Sequence, residues 1–387
     1  MNFEFATATQ IIFGPGTIKQ VAPAAVKLGG AAPHALLVTG KTGARAKVFA
    51  EALVANGVKT TAFNVPGEPT DTLVRDGLAQ AREAGCTLVI GIGGGSVIDA
   101  GKAIAATLTN PGDLLDYLEV IGRGQPLTQP SAPFIAIPTT AGTGAEVTRN
   151  AVLASEEKRV KVSLRSPLML PRLAVIDPEL TRSMPPEITA ATGMDAFAQV
   201  LEPYVSLGAN PITDSLCREG LMRVSSALRQ AYSHGDDAEA REDMALVSLF
   251  GGLALANAKL GAVHGLAGVL GGMTGAPHGA LCGRLLPFVM DANVRALRKR
   301  EPKHPALERY DEIAVILSGE WDVEAGDAVT WVQALCKDLK IRGLASYGVR
   351  AQDFPTIVEK ASQASSMKGN PIQLTEAELR GVLERAL

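Results

Sequence analysis

The chain has 387 residues, 47% of them apolar, and a formal net charge of -3. That is long enough for two or three domains at roughly 150 residues each, and it lacks the basic footprint that nucleic-acid binding requires. The cysteines Cys86, Cys217, Cys282 and Cys336 are scattered with no C-x-x-C pair, which argues against a disulfide framework or a cysteine zinc site and for reduced thiols in a cytoplasmic protein. The start, MNFEFATATQ, has neither a basic n-region nor an apolar h-region, so no secretory signal is expected.

In chain order, QIIFG (10–14), HALLVTG (34–40), TTAFNV (60–65), TLVIGIGGG (87–95), PFIAIPTT (133–140) and RLAVID (172–177) read as strands. Helical stretches lie between them near 17–28, 43–56, 70–84 and 96–108. This alternation predicts an α/β domain over 1–180, built on a mostly parallel sheet. After Pro185-Pro186 the pattern turns helical, so 181–387 reads as an all-α domain. Residues 248–276 are apolar enough to span a bilayer, but they are dominated by Gly and Ala and carry Lys259 near the middle, which favours a buried helix–turn–helix. The stretch RALRKREPKHPALERYDE (295–312) reads as a solvated face, and Thr375 with Glu378 forms a capping box at the start of the last helix.

Two glycine-rich segments carry the chemistry of the first half. GIGGGSVIDAGKAIA (91–105) follows an apolar strand and opens a helix. Gly93, Gly94 and Gly95 allow close backbone approach, Ser96 is placed to cap the helix, and the free N–H groups and helix dipole favour a phosphate. Neither standard phosphate fingerprint fits: Ser96 replaces the last glycine of G-x-G-x-x-G, and the P-loop spacing fails. A tight strand–helix connection with no ligand remains the other reading of this turn. IPTTAGTGAEVTRNAVL (137–153) also follows a strand and offers the hydroxyls of Thr139, Thr140, Thr143 and Thr148 to a phosphate or ribose, or forms an ordinary Thr/Gly turn.

Read in order, IIFGPGTI, GGGSVIDAGKAIA, PTTAGTGAEVT, KVSLRSPLMLPRLAVIDPELTRSMPP, ATGMDAFAQVLEPYVS, GAVHGLAGVLGG and APHGALC resemble the iron-containing (group III) alcohol dehydrogenases over nearly the whole chain. The resemblance implies a dehydroquinate-synthase-like architecture with the active site in the cleft between the two domains. It implies an NAD(P) site lined by Gly94, Gly95, Ser96, Asp99, Thr139, Thr140, Thr143, Thr148 and Lys161. At the end of HALLVTG, NAD-preferring relatives carry an Asp that accepts the ribose 2′-hydroxyl and repels a 2′-phosphate. Gly40 stands there in this chain, followed by Lys41 and, a turn later, Arg45, so tolerance of NADP(H) is expected.

The family's metal site resembles an Asp and a His one turn apart on a helix, followed by two later His residues. Here these places hold Asp195, Gln199, His264 and His278, and a further family His near the nicotinamide is replaced by Gly268. The i, i+4 spacing keeps Asp195 and Gln199 on one helix face. Three protein ligands suffice for a catalytic zinc, so a divalent metal, Fe2+ or Zn2+, is expected, with Gln199 a weak fourth ligand. The implied reaction is hydride transfer between nicotinamide and a small alcohol, aldehyde or ketone, with the metal as Lewis acid and His264 and His278 at the reacting centre. Other readings are a metal-independent carbonyl reductase like the maleylacetate reductases, a dehydroquinate-synthase-like lyase and a non-catalytic nucleotide-binding descendant. The expected partners are a small substrate and a second copy of the chain in a homodimer or larger assembly, with no nucleic acid or membrane.

Overall fold

The computed structural model describes residues 2–41, 44–155, 157–158 and 160–387, the side chains of 44–46 excepted. The side chain of Arg45, singled out above for a phosphate, lies outside the described residues. The chain forms two compact units. One comprises Ala6–Thr140 and Gly144–Thr181, and the other Met1–Phe5, Ala141–Thr143 and Arg182–Leu387.

The first unit runs β1 (Ile11–Phe13), α1 (Val21–Gly29), β2 (His34–Gly40), α2 (Ala44–Ala55), β3 (Lys59–Val65), α3 (Asp71–Ala84), β4 (Leu88–Gly93), α4 (Gly95–Thr109), α5 (Leu114–Tyr117), β5 (Phe134–Pro138), β6 (Asn150–Ser155), β7 (Val160–Arg165) and β8 (Leu173–Ile176). Six strands form one sheet in the order β1-β8-β5-β4-β2-β3, every pair parallel. Strand side chains alternate between its two faces. Ala35 and Leu37 of β2, Leu88 and Ile90 of β4, and Ile135 and Ile137 of β5 join one core cluster. Leu36, Val38, Val89, Phe134 and Ala136 join the other. With both faces covered, these strands read as near-continuous apolar runs, which is why they stand out in the sequence.

The sequence pattern did not reveal the antiparallel hairpin β6–β7. Its strands carry Asn150, Lys161 and Ser163 among their apolar residues, so the alternation is diluted. A buried lysine anchors the hairpin. Lys102 of α4 is 1% exposed and its Nζ donates to the Ala145 carbonyl at 2.9 Å, to Thr148 Oγ1 at 2.9 Å and to the Asn150 carbonyl. Asp99 completes the network, pairing with Lys102 at 3.3 Å and accepting the Val152 N–H at 3.1 Å.

The second unit is helical: α6 (Pro186–Val205), α7 (Pro211–Ser233), α8 (Ala238–Ala258), α9 (Ala262–Thr274), α10 (His278–Arg300), α11 (Ala306–Ser318), α12 (Ala325–Asp338), α13 (Phe354–Gln363) and α14 (Glu376–Ala386). Pro186 opens α6 at its first turn, where the missing N–H is harmless. Every residue of α6 from Gly193 to Val205 is buried, so α6 forms the axis of one contiguous core. Close approach onto α6 needs glycine. A Cβ on Gly279 would stand 2.1 Å from the Ala191 carbonyl oxygen, and one on Gly251 2.9 Å from the Gln199 Cβ.

The apolar stretch 248–276 forms the end of α8 and all of α9, bent by 101° at a break where Lys259 takes a φ of 69°. Among the described residues no single helix is long and apolar enough to cross a membrane. The charged stretch 295–312 departs from the expected solvated face. Tyr310 is 1% exposed, and Arg309 forms a bidentate pair with Asp214 at 2.8 Å, because α11 packs this edge onto α7 and α6. The capping box of α14 forms as read: Thr375 Oγ1 accepts the Glu378 N–H at 3.2 Å and Glu378 accepts the Thr375 N–H at 2.7 Å.

Burial of one carboxyl in the strand unit gives a stability prediction. Glu146 is 2% exposed and burial pushes its pKa up to about 7, with Lys102 pulling the other way. The folded chain therefore holds this proton more tightly than the unfolded chain. Stability contributed by Glu146 is present below its unfolded pKa and is lost as pH rises toward about 7. Glu146→Gln is expected to match the parent near pH 5 and to exceed it at pH 8 by on the order of 2 kcal/mol, at roughly 1.4 kcal/mol per pKa unit. Denaturant melts at the two pH values check this, and an equal difference at both would refute it.

Candidate functional site

The strand unit offers a topological switch point. From β2 the chain adds β3 on one side, and from β4 it adds β5 on the other, while β2 and β4 lie side by side. In open parallel sheets ligands settle at the carboxyl ends of such a strand pair. The register Thr39↔Ile92 carries Gly40 and Gly93 to that same end. Gly93 cannot take a side chain, since its Cβ would lie 2.5 Å from Val97 Cγ2. At Gly94 a Cβ would lie 3.3 Å from the Thr140 methyl, and the Thr139 N–H donates to the Gly93 carbonyl at 2.9 Å. Together these hold the turn after β5 against the turn after β4.

Helix α4 starts two residues earlier than the cap reading requires. Its N-cap is Gly94, with no side-chain cap hydrogen bond, and Ser96 lies inside the first turn. Ser96 therefore does not cap α4, and the first N–H groups of the helix are left without a capping side chain. Gly40, Gly94, Gly95, Ser96, Thr139 and Thr140 gather at these strand ends, with Lys41 exposed beside them. The remaining residues named from the resemblance have other surroundings. Asp99 and Thr148 belong to the Lys102 network, Thr148 being 3% exposed. Lys161 pairs with Glu68, and Thr143 is half-buried in the helical unit.

In the helical unit, Asp195 on α6, His264 on α9 and His278 at the start of α10 converge. His264 Nε2 stands 3.3 Å from Asp195 Oδ1, His278 Nε2 stands 3.8 Å from the same oxygen, and the imidazole centroids are 5.4 Å apart. Cys282, one turn after His278, places its Sγ 3.5 Å from His278 Nε2. Donor atoms of these four residues all lie within 4.8 Å of one another. Gly279 makes the convergence possible, because its missing Cβ lets α10 press against α6 beside Asp195.

A buried carboxylate sets the orientation of His264. Glu202, 4% exposed, accepts the Val263 N–H at 2.7 Å through Oε1, and its Oε2 lies 2.6 Å from His264 Nδ1. A hydrogen on Nδ1 leaves the Nε2 lone pair facing Asp195. Glu202 lies seven residues after Asp195, on the same face of α6. An acid at that spacing inside ATGMDAFAQVLEPYV was a readable signal that the motif comparison passed over.

The electrostatics mark this as a place for a cation. Among the described residues, the buried side-chain N and O atoms without a hydrogen-bond partner include Asp195 Oδ1 and His264 Nε2, facing each other. Burial opposes the charged form of Asp195, but His278 and His264 outweigh it and hold its carboxyl below the usual range. Burial also opposes protonation of His264, yet Cys282, Asp195 and Glu202 raise it well above the ordinary imidazole value. One carboxylate and two imidazoles are a donor set that suits Zn2+ or Fe2+. Gln199 shares the Asp195 face, but its amide nitrogen donates to the Gly142 carbonyl at 2.8 Å. Gly268, one turn after His264, has open space where a Cβ would sit.

The chain resembles known proteins over nearly its whole length. The profile described as "Iron-containing alcohol dehydrogenase" matches residues 8–178, and that of the "Fe-containing alcohol dehydrogenase family, C-terminal" matches 189–387. The chain is 36% identical to 1,3-propanediol dehydrogenase of Klebsiella pneumoniae, covering 99% of this chain and 98% of that protein. It is 38% identical to alcohol dehydrogenase 4 of Schizosaccharomyces pombe, covering 84% and 74%. A crystal structure of 1,3-propanediol oxidoreductase superposes with a TM-score of 0.92 at 35% identity and complete coverage of both chains. The protein belongs to the iron-containing alcohol dehydrogenase family and is an alcohol oxidoreductase.

Proposed function

We propose that the protein moves a hydride between NAD(P), bound at the carboxyl ends of β2, β4 and β5, and a small alcohol, aldehyde or ketone, using one divalent metal held by Asp195, His264 and His278. The observation that carries this reading is the pair of buried atoms, Asp195 Oδ1 and His264 Nε2, 3.3 Å apart and without hydrogen bonds. Two such atoms are costly to leave unpaired, and a shared cation satisfies both.

When bound, the metal supplies Lewis acidity toward the substrate oxygen. The chain's own groups do the rest. Asp195 supplies negative charge, Glu202 fixes the tautomer of His264, and His278, whose side chain is 35% exposed, forms the open edge of the cluster. Gly268 leaves room beside His264, which suits a substrate of modest size. The similarity to 1,3-propanediol and alcohol dehydrogenases favours a short-chain alcohol or its aldehyde. The family resemblance further supports at least a homodimer, working in the cytoplasm.

Purified after growth with iron or zinc, the protein is expected to hold about one metal per chain, and Asp195→Ala to lose both the metal and more than 99% of turnover. Elemental analysis beside an aldehyde-reduction assay checks this. A fully active, metal-free protein indifferent to chelators would establish the metal-independent alternative.

At the glycine turn, Gly94→Val fills the space against Thr140 and obstructs the backbone approach to a pyrophosphate. The KM for the dinucleotide is expected to rise at least tenfold with folding retained. An unchanged KM in a variant with a native circular dichroism spectrum would place the dinucleotide elsewhere.

Discrimination between the two dinucleotides is assigned to Gly40. Among the described residues a Cβ there would meet only Val97 Cγ2 at 3.9 Å, which leaves space for a side chain at this position. The parent is expected to use NADPH as well as NADH. Gly40→Asp is expected to shift the ratio of kcat/KM toward NADH by at least tenfold, since a carboxylate repels the 2′-phosphate. A ratio unmoved by the substitution, read from steady-state kinetics, would show that this position does not set the choice.

A further inference from the structure

We infer that Cys282 is the fourth protein ligand of the metal, its thiolate taking over the role that an imidazole at position 199 would have played. The inference rests on the proposed Asp195, His264 and His278 site and names the donor that completes it. Cys282 is fully buried, lies one turn after His278 on α10, and belongs to the four-residue group whose donor atoms fit within 4.8 Å. Two of the edges match a four-coordinate shell, which a substrate oxygen would enter as a fifth ligand. Ligands at roughly 2.0–2.3 Å from a tetrahedral ion stand roughly 3.3–3.6 Å apart. His264 Nε2 to Asp195 Oδ1 is 3.3 Å, Cys282 Sγ to His278 Nε2 is 3.5 Å, and His278 Nε2 to Asp195 Oδ1 is 3.8 Å.

Two independent features point the same way. Asp195 and His264, 3% and 8% exposed, aim unpartnered atoms into this cluster, so the thiol is not a lone cysteine in an apolar core. Of the four cysteines, Cys282 alone belongs to such a cluster of donors among the described residues. At the position the resemblance assigns to a ligand, Gln199 offers only an amide oxygen, a weaker donor than a thiolate, with its nitrogen held by the Gly142 carbonyl. A soft sulfur donor in place of an imidazole shifts preference from ferrous iron toward zinc. The i, i+4 pair His278–Cys282 on α10 mirrors the i, i+4 pair at 195 and 199 on α6, which moves one donor from one helix to the other.

The test is cobalt(II) exchange into the full-length protein. Cobalt bound by a thiolate gives an intense near-ultraviolet charge-transfer band, whereas cobalt bound only by oxygen and nitrogen does not. The parent is expected to show the band at one cobalt per chain. Cys282→Ala is expected to lose the band and bind cobalt at least tenfold more weakly, with an unchanged circular dichroism spectrum. Cys282→Ser, which keeps the volume and offers a hard oxygen, is expected to lose the band and lower the zinc-to-iron affinity ratio at least tenfold. Stoichiometric cobalt without the band in the parent overturns the assignment of Cys282 while leaving the three-residue site standing, as does a band that survives in Cys282→Ala. No cobalt binding in the parent overturns both this inference and the metal reading beneath it.

Discussion

The carboxylate of Glu202 is the interaction on which the helical unit's site depends. It is buried on the central helix, where an unmatched charge would be costly, and it is matched from one direction only, by the start of α9. The Val263 N–H is one of the orphan donors of a helix N-terminus, and the helix dipole there favours an anion. The same carboxylate meets the imidazole of His264 one residue further on. One charge therefore fixes both the position of α9 along α6 and the tautomer of a candidate metal ligand. Gly261 permits this contact, since a Cβ there would stand 2.8 Å from Glu202 Oε1, and the sharp break after Lys259 turns the N–H groups toward it.

The strand unit solves a different problem with similar means. Its turn after β4 must leave N–H groups free of side-chain capping, and it does so by starting α4 at glycines rather than at a serine or aspartate. The turn after β5 is held by a buried lysine whose charge is met by Asp99 and by backbone carbonyls, with Glu146 nearby. Asp99 and Thr148, named from the motifs as cofactor contacts, also belong to this network, and Lys161, named with them, pairs with Glu68. A motif identifies residues that a site requires and does not separate those that touch the ligand from those that shape its cradle.

How much was legible follows from the physics of each signal. Strands buried on both faces gave long apolar runs, so β2, β4 and β5 were read close to their ends, whereas the polar-diluted β6–β7 hairpin left no such run. Asp195, His264 and His278 were found because ordered motifs fixed their places. Cys282 was set aside because spacing rules for thiolate sites look for cysteine pairs, and this one sits among imidazoles. Glu202 was passed over for a related reason: its spacing from Asp195 marks a shared helix face, but not the imidazole 62 residues away through which it acts. The inward turn of Arg309 and Tyr310 was hidden because charge density along a helix says nothing about which edge another helix covers.

Every donor of the candidate metal cluster, from Asp195 to Cys282, and the carboxylate that orients them lie within one uninterrupted stretch of the helical unit. Loop-closure entropy grows only slowly with length, about 0.6 kcal/mol per doubling, so the separations between these helices weigh little against the contacts they make. Once α6, α9 and α10 have closed on one another, all the donors are in hand, and no side chain of the strand unit is needed to complete them. Assembly of the donors is in that sense an event of chain folding within one unit, complete before any ion arrives.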